Sequence, residues 1–274
     1  MQIFLKKEIF MKRTDLICEN GVIDSEEFSS YVHTKQAFGT RYTDIVTDDE
    51  AAERTGLRPG RYVTVYSGNG DVKSCIAGLL REMIPEGSVL VAGLGNERIC
   101  SDSLGTMALR YIPATAHLAQ FKDFTDLGMR KVFVAEAGVT GKTGFESSSR
   151  IASEVRLAGA EAVIAIDSLA CSGLDRLCTV VQITDTGISP GSGVGNDRKA
   201  LDRSTAGVPV IAVGVPTVID LDCITGSDTG KGLMVTPRSI DASIHRFARI
   251  IGGAVSRALN PSLTEDELEA LLIL

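Results

Sequence analysis

VLVAGLGNERICSDSLG, residues 89–105, passes from four consecutive apolar residues into glycines, an asparagine and then Asp102. AVIAIDSLA, residues 162–170, repeats the pattern more sharply, with five apolar residues leading directly to Asp167. Such unbroken runs mark strands covered on both faces, as in a parallel sheet. The carboxyl edge of an open α/β sheet is where ligands bind. Two carboxylates delivered to that edge predict a catalytic crevice.

Outward from these two segments the chain alternates between strand and helix periods. Strands are predicted at 61–66, 89–92, 131–135, 162–166, 179–183 and 208–213, and helices at 71–83, 101–111, 146–158 and 237–259. The 237–259 helix carries Ile240, Ile244, Phe247, Ile251 and Val255 on one face, and Thr264 with Glu267 opens a last helix as a capping box. Parallel neighbours need helical crossovers, so the expectation is a mainly parallel twisted α/β sheet with helices on both faces. The first sixty residues carry only weak periodicity and read as an unspecified lead-in.

Composition narrows the functional classes. With 44% hydrophobic and 23% charged residues and no biased tract, the 274-residue chain is expected as one globular domain. A net charge of −7 without a basic stripe disfavours nucleic acid as a direct partner. No run approaches a membrane span, and the start MQIFLKKEIFMKRTD is too interrupted for a signal peptide. Six scattered cysteines without a CxxC pair read as reduced core residues, and His33, His117 and His245 stand too far apart for a histidine zinc site.

The motifs carry unequal weight. Asp102 sits where it can either cap a helix or act in chemistry. Asp167 follows a buried strand directly, where desolvation would raise its pKa, and the functional reading is favoured. Two carboxylates in one crevice can share a proton, one acting as base on water and the other as acid. The same pair can alternatively bind a divalent metal. TVVQITDTGISPGSGVGNDR, 179–198, adds a glycine-rich loop presenting backbone amides, and Ser192, Gly193, Gly195 and Asn196 are the candidate oxyanion or substrate donors. KVFVAEAGVTGKTGFES, 131–147, only approaches a nucleotide loop, because Glu136 stands where its first glycine belongs. That turn is expected to shape a substrate groove, with Glu146 capping the helix or touching the partner. GLGNER lacks the third glycine of a dinucleotide fingerprint, so chemistry without a cofactor is expected.

A resemblance adds to this reading. Arg13-Thr-Asp-Leu16, Gly93-Leu-Gly-Asn96, Asp102-Ser-Leu-Gly105, Gly138-Val-Thr-Gly-Lys-Thr-Gly144, Ile166-Asp-Ser-Leu-Ala170, Pro190-Gly-Ser-Gly-Val-Gly-Asn-Asp-Arg198 and Gly207 to Asp220 follow one another in the order of the spore germination proteases. From about residue 13 to 260 the chain resembles that family, endopeptidases that degrade small acid-soluble spore proteins when a bacterial spore germinates. The resemblance implies an atypical aspartic-type endopeptidase with Asp102 and Asp167 as its catalytic pair and a sheet similar to that of hydrogenase-maturation endopeptidases, which bind a metal. It further implies a self-processing zymogen, a homotetramer, and residence in the cytoplasm of the spore core. Residues 1–15 are then expected as a propeptide and 16–274 as a single protease domain, with cleavage near Glu8 or Asp15. Ser103 and Ser168 stand where the family pattern has alanines, and their hydroxyls are expected to bond the neighbouring carboxylates. The competing readings are a metal-dependent maturation-type peptidase and a non-catalytic spore-protein binding module.

Overall fold

In a computed structural model that describes residues 14–19, 31–55, 57–191, 199–227 and 232–273, the apolar runs divide their side chains between two cores. Val89 and Val91 enter one and Leu90 and Ala92 the other; Ala162, Ile164 and Ile166 part in the same way from Val163 and Ala165. This is the period-two alternation of strands buried on both faces.

In chain order the elements are β1 (Val32–Ala37), β2 (Thr40–Thr47), α1 (Asp49–Thr55), β3 (Gly60–Tyr66), α2 (Val72–Met83), β4 (Val89–Gly93), α3 (Leu104–Ala108), α4 (Lys122–Asp126) and β5 (Val132–Glu136). They continue with α5 (Thr140–Thr143), α6 (Ser147–Ala158), β6 (Ala162–Cys171), β7 (Val180–Thr184), α7 (Arg203–Ala206), β8 (Val210–Asp220), α8 (Leu221–Thr225), β9 (Met234–Val235), α9 (Ile240–Leu259) and α10 (Glu265–Leu271). One sheet holds all the strands in the order β1-β2-β3-β7-β8-β6-β4-β5, with β9 against β8. Helices α2, α3 and α9 cover one face through Ile76, Leu80, Leu104, Phe247 and Ile251. Helices α6 and α7 cover the other through Ile151, Val155 and Ala206. Helices on both faces are as expected.

The sheet is mixed rather than parallel throughout. Strands β8, β6, β4 and β5 run parallel, whereas β1, β2, β3 and β7 join antiparallel up to β8. The 172–179 connection from β6 to β7 is too short for a helical crossover, so the chain must return in the opposite direction. The lead-in, unspecified in sequence terms, forms the β1–β2 hairpin. Its two-residue turn, Phe38-Gly39, has φ of 52° and 73°. Both values are left-handed, as the turn that matches strand twist requires.

Two differences bear on the site. The helix expected over 101–111 is broken into a 3-10 turn at Cys100–Asp102, the short α3, and a second 3-10 turn at Leu109–Tyr111. Strands β6 and β8 also run well past their expected ends, paired with each other from Asp167↔Gly214 to Cys171↔Ile219. Asp167 therefore lies within a strand, just beyond the point where β4 stops pairing at Gly93↔Ile166.

The capping box of α10 matches the sequence reading, and Asp71 caps the N-terminus of α2. All three histidines are exposed. Cys18, Cys75 and Cys171 are buried, but Cys100 is exposed rather than part of the core. Among the described residues no helix is long and apolar enough to cross a membrane.

Candidate active site

Beyond β4 the chain loops out and returns against β6, held first by the Leu94 N–H donating to the Ile166 carbonyl at 2.8 Å. The loop closes on itself: the Asn96 N–H donates to both the backbone carbonyl and Oδ2 of Asp102, each at 2.9 Å. Gly95, at φ +93°, allows this closure, because a Cβ there would stand 2.1 Å from the Asp102 carbonyl oxygen. Asp102 therefore does not cap a helix. Ser103 is the residue at the start of α3, and it makes no side-chain cap bond.

Asp167 is 4% exposed, and its Oδ1 accepts the Ser168 N–H at 2.8 Å. The two aspartates, from separate chain segments, line one cavity of about 260 Å³. Its walls are largely apolar, with Leu94, Ile99, Val139, Leu169, Val218 and Met234 among them. Asp15 lines the same space.

Asp15 belongs to a segment berthed beside β6. Its N–H donates to the Ala170 carbonyl at 3.0 Å, and its Oδ2 accepts the Ala170 N–H at 2.8 Å. The buried Gln182 clasps the segment from the other side, donating to the Asp15 carbonyl at 3.0 Å and accepting the Ile17 N–H at 3.1 Å. Leu16, Ile17 and Cys18 are buried, and Glu19 takes the N–H groups of Ser172 and Gly173 at 2.6 and 2.8 Å. A second cavity of about 400 Å³ also has Asp15 and Leu169 in its wall, together with Thr14, Arg58, Tyr62, Gln182 and Thr184. The guanidinium of Arg58 is tied to Asp202 at 2.7 Å. Burial works against ionisation of Asp202, but Ser204, the Thr205 N–H and Arg58 hold its carboxyl below the ordinary value.

Several sequence expectations are corrected here. The Ser103 hydroxyl donates to the Cys100 carbonyl at 2.8 Å rather than to a carboxylate. The Ser168 hydroxyl has no hydrogen-bond partner among the described residues. Glu146 precedes α6 without capping it, and instead accepts from Thr140 Oγ1 at 3.3 Å. Lys142 of the Gly-Lys-Thr turn pairs with Glu97 at 2.5 Å, which joins the loops after β4 and β5. This contact holds the Glu97 carboxyl below its usual range through the hydrogen bond and charge of Lys142. Val139 and Ser147 from the same turn region line the cavity, as a groove-shaping role requires. Ser192, Gly193, Gly195, Asn196 and Glu8 lie outside the described residues. Among the described residues, no three His, Cys, Asp or Glu side chains are grouped as a metal ion needs. Sequence reasoning missed Gln182 and Thr217 and had Asp15 only as a cleavage position. The signal available for Asp15 and Thr217 was a place in a family-like motif, Arg13–Leu16 and Gly207–Asp220 respectively.

The family model for germination protease matches residues 8–230. The chain belongs to the germination protease family. It is accordingly a peptidase, a hydrolase of peptide bonds. It is similar to the germination protease of Bacillus subtilis strain 168, with 31% identity covering 97% of this chain and 77% of that protein. Against the germination protease of Clostridium perfringens the identity is 32%, over 83% of this chain and 86% of the relative. With that of Bacillus cereus strain B4264 it is 35%, over 86% and 69% respectively. Among solved structures, this germination protease family member is similar to the [NiFe] hydrogenase maturation protease HycI from Thermococcus kodakarensis KOD1, with a TM-score of 0.38 and 15% identity over 65% of this chain and 98% of that one.

Proposed function

We propose that this chain is an endopeptidase that hydrolyses small acid-soluble spore proteins during germination, with Asp102 and Asp167 activating the attacking water. The observation that carries the reading is that these two carboxylates, far apart in sequence, line one mostly apolar cavity at the edge of the parallel strands. One carboxylate takes a proton from water as it attacks the scissile carbonyl, and the other delivers a proton to the departing amine. Each is oriented by a backbone N–H, from Asn96 and Ser168 respectively. The pair works without a cofactor.

The chain is made as a zymogen that removes residues up to Asp15 or Glu8, and it works as a homotetramer in the spore cytoplasm. Supporting the first point, Asp15 stands in the wall of the cavity that holds both aspartates. Cleavage next to it requires the segment to leave Gln182 and Ala170. Relatives from spore-forming bacteria support the cellular setting.

Purified small acid-soluble spore protein is the substrate for the test, with wild type, Asp102→Asn, Asp167→Asn and a chelator-treated sample compared. Each substitution is expected to lower turnover by about 10³-fold with the fold retained by circular dichroism, while chelation leaves turnover intact. Full activity in either variant, or loss on chelation that added metal restores, would overturn the aspartate mechanism.

A further inference from the structure

Strands β6 and β8 stay in parallel register from Val163↔Val210 to Leu169↔Pro216 and resume at Ala170↔Val218. Thr217 is the residue left over. A bulge of this kind bends the strand and re-aims the extra side chain, and here it falls beside the cavity that holds Asp102 and Asp167. Thr217 is 1% exposed, so its hydroxyl needs a partner within the protein. It donates to the carbonyl of Ser101 at 2.6 Å. Ser101 directly precedes Asp102 within the 3-10 turn Cys100–Asp102.

Three further bonds of the turn are local: Asp102 N–H to the Ile99 carbonyl, Ile99 N–H to the Asn96 carbonyl, and Asn96 N–H to Asp102. They shape the loop, whose start is tied to β6 by the Leu94 N–H on the Ile166 carbonyl. The Thr217 bond ties its Asp102 end, because β8 pairs on both sides of the bulge with the strand that carries Asp167. Thr217 is itself held on its other side, where its carbonyl accepts from Thr236 Oγ1 at 2.8 Å, next to the short β8–β9 pairing.

We propose that Thr217 is a positioning residue, whose hydroxyl, turned by the bulge in β8 onto the Ser101 carbonyl, sets Asp102 in its working position relative to Asp167. The inference rests on the aspartate-pair reading above. Thr217 touches neither water nor substrate in this role; it acts through Asp102.

The experiment compares wild type with Thr217→Val, which keeps the shape and removes the hydroxyl, and Thr217→Ser, which keeps the hydroxyl. Asp102→Asn is run beside them. Turnover of a spore-protein peptide is measured as kcat and KM, and titration of the Asp102 carboxyl is followed separately by carbon-13 NMR. Thr217→Val is expected to lower kcat about 10- to 100-fold at unchanged KM and to move the Asp102 titration, with Thr217→Ser restoring both. A displaced carboxylate has these effects, whereas a hydroxyl that merely satisfies the fold would lower the melting temperature alone. Wild-type kcat and titration in Thr217→Val, or equal losses in the Val and Ser variants, would overturn the proposal. Should the Val variant not fold, Thr217→Ala against Thr217→Ser repeats the comparison of hydroxyl absent and present. Retained activity in Asp102→Asn would instead remove the aspartate-pair reading, and the titration then decides the positioning role by itself.

Discussion

The sheet joins two halves that are held together differently. The parallel half, β8-β6-β4-β5, is covered by helices on both faces, and its strands β8, β6 and β4 are almost wholly apolar and buried. The antiparallel flank, β1-β2-β3, adds a charge network to the apolar contacts of Ile45, Tyr62, Val63 and Val65. Buried Asp44 of β2 receives a two-pronged bond from Arg61 at 2.9 and 3.0 Å and a third from Lys35 at 2.9 Å, and Arg61 reaches on to Glu82 of α2 at 2.8 Å. The edge strand β1 is exposed along most of its length. An apolar half tolerates little change of volume, whereas a charged flank is sensitive to pH. The candidate site sits on the apolar side, with Asp167 within β6 and Asp102 in the 3-10 turn that follows β4.

The largest effect is expected where backbone meets backbone in the parallel half. A Cβ on Gly105 would stand 2.3 Å from the Ile166 carbonyl and 2.4 Å from that of Leu94. Gly105→Ala should cost about 3 kcal/mol in denaturant unfolding, as the strand ends are forced apart; a loss near zero would mean that this half yields more than its packing implies.

In the flank, Asp44→Asn should cost about 2 kcal/mol near neutral pH, read as a lowered melting temperature. Burial opposes ionisation of Asp44, but the bonds from Arg61 and Lys35 hold its carboxyl below the ordinary value. The unfolded chain thus binds that proton at a pH where the folded chain has already released it. The network's contribution is complete above the ordinary carboxylate range and is lost as pH falls through the lower folded value. Wild type and variant should converge in stability on acidification, and a gap that is constant with pH would contradict the assignment.

The smallest effect belongs to the hairpin turn, where Phe38 holds a left-handed conformation that disfavours its side chain. Phe38→Asn should raise stability by about 0.5 kcal/mol, because asparagine suits the first position of this turn. A decrease would show that the ring contributes more by lying over Gly78, 3.7 Å from where a Cβ there would be, than the backbone loses.

The same contrast explains what was legible. The strands of the parallel half announce themselves as apolar runs, and the helices α2, α6 and α9 by their spacing, so the helices agreed with expectation to within a few residues while β6 and β8 ran on to Cys171 and Asp220. The hairpin did not announce itself. Its turn has Phe where asparagine is usual, and β1 has no buried face to impose a pattern. TRYTDIVT of β2, with its β-branched and aromatic residues, was the signal available for it.

By itself, the sequence determined that two aspartates would follow directly on parallel strands, because unbroken apolar runs of that kind read as strands covered on both faces. Tertiary structure alone decided that Asp102 turns back on Asn96 instead of capping a helix, that Asp15 closes the wall of the same cavity, and that Thr217 bulges out of β8 to hold Ser101. The last two outcomes depend on contacts between residues distant along the chain, which no local pattern of polarity encodes, and they are made by the stretches of β6 and β8 that pair beyond the end of β4.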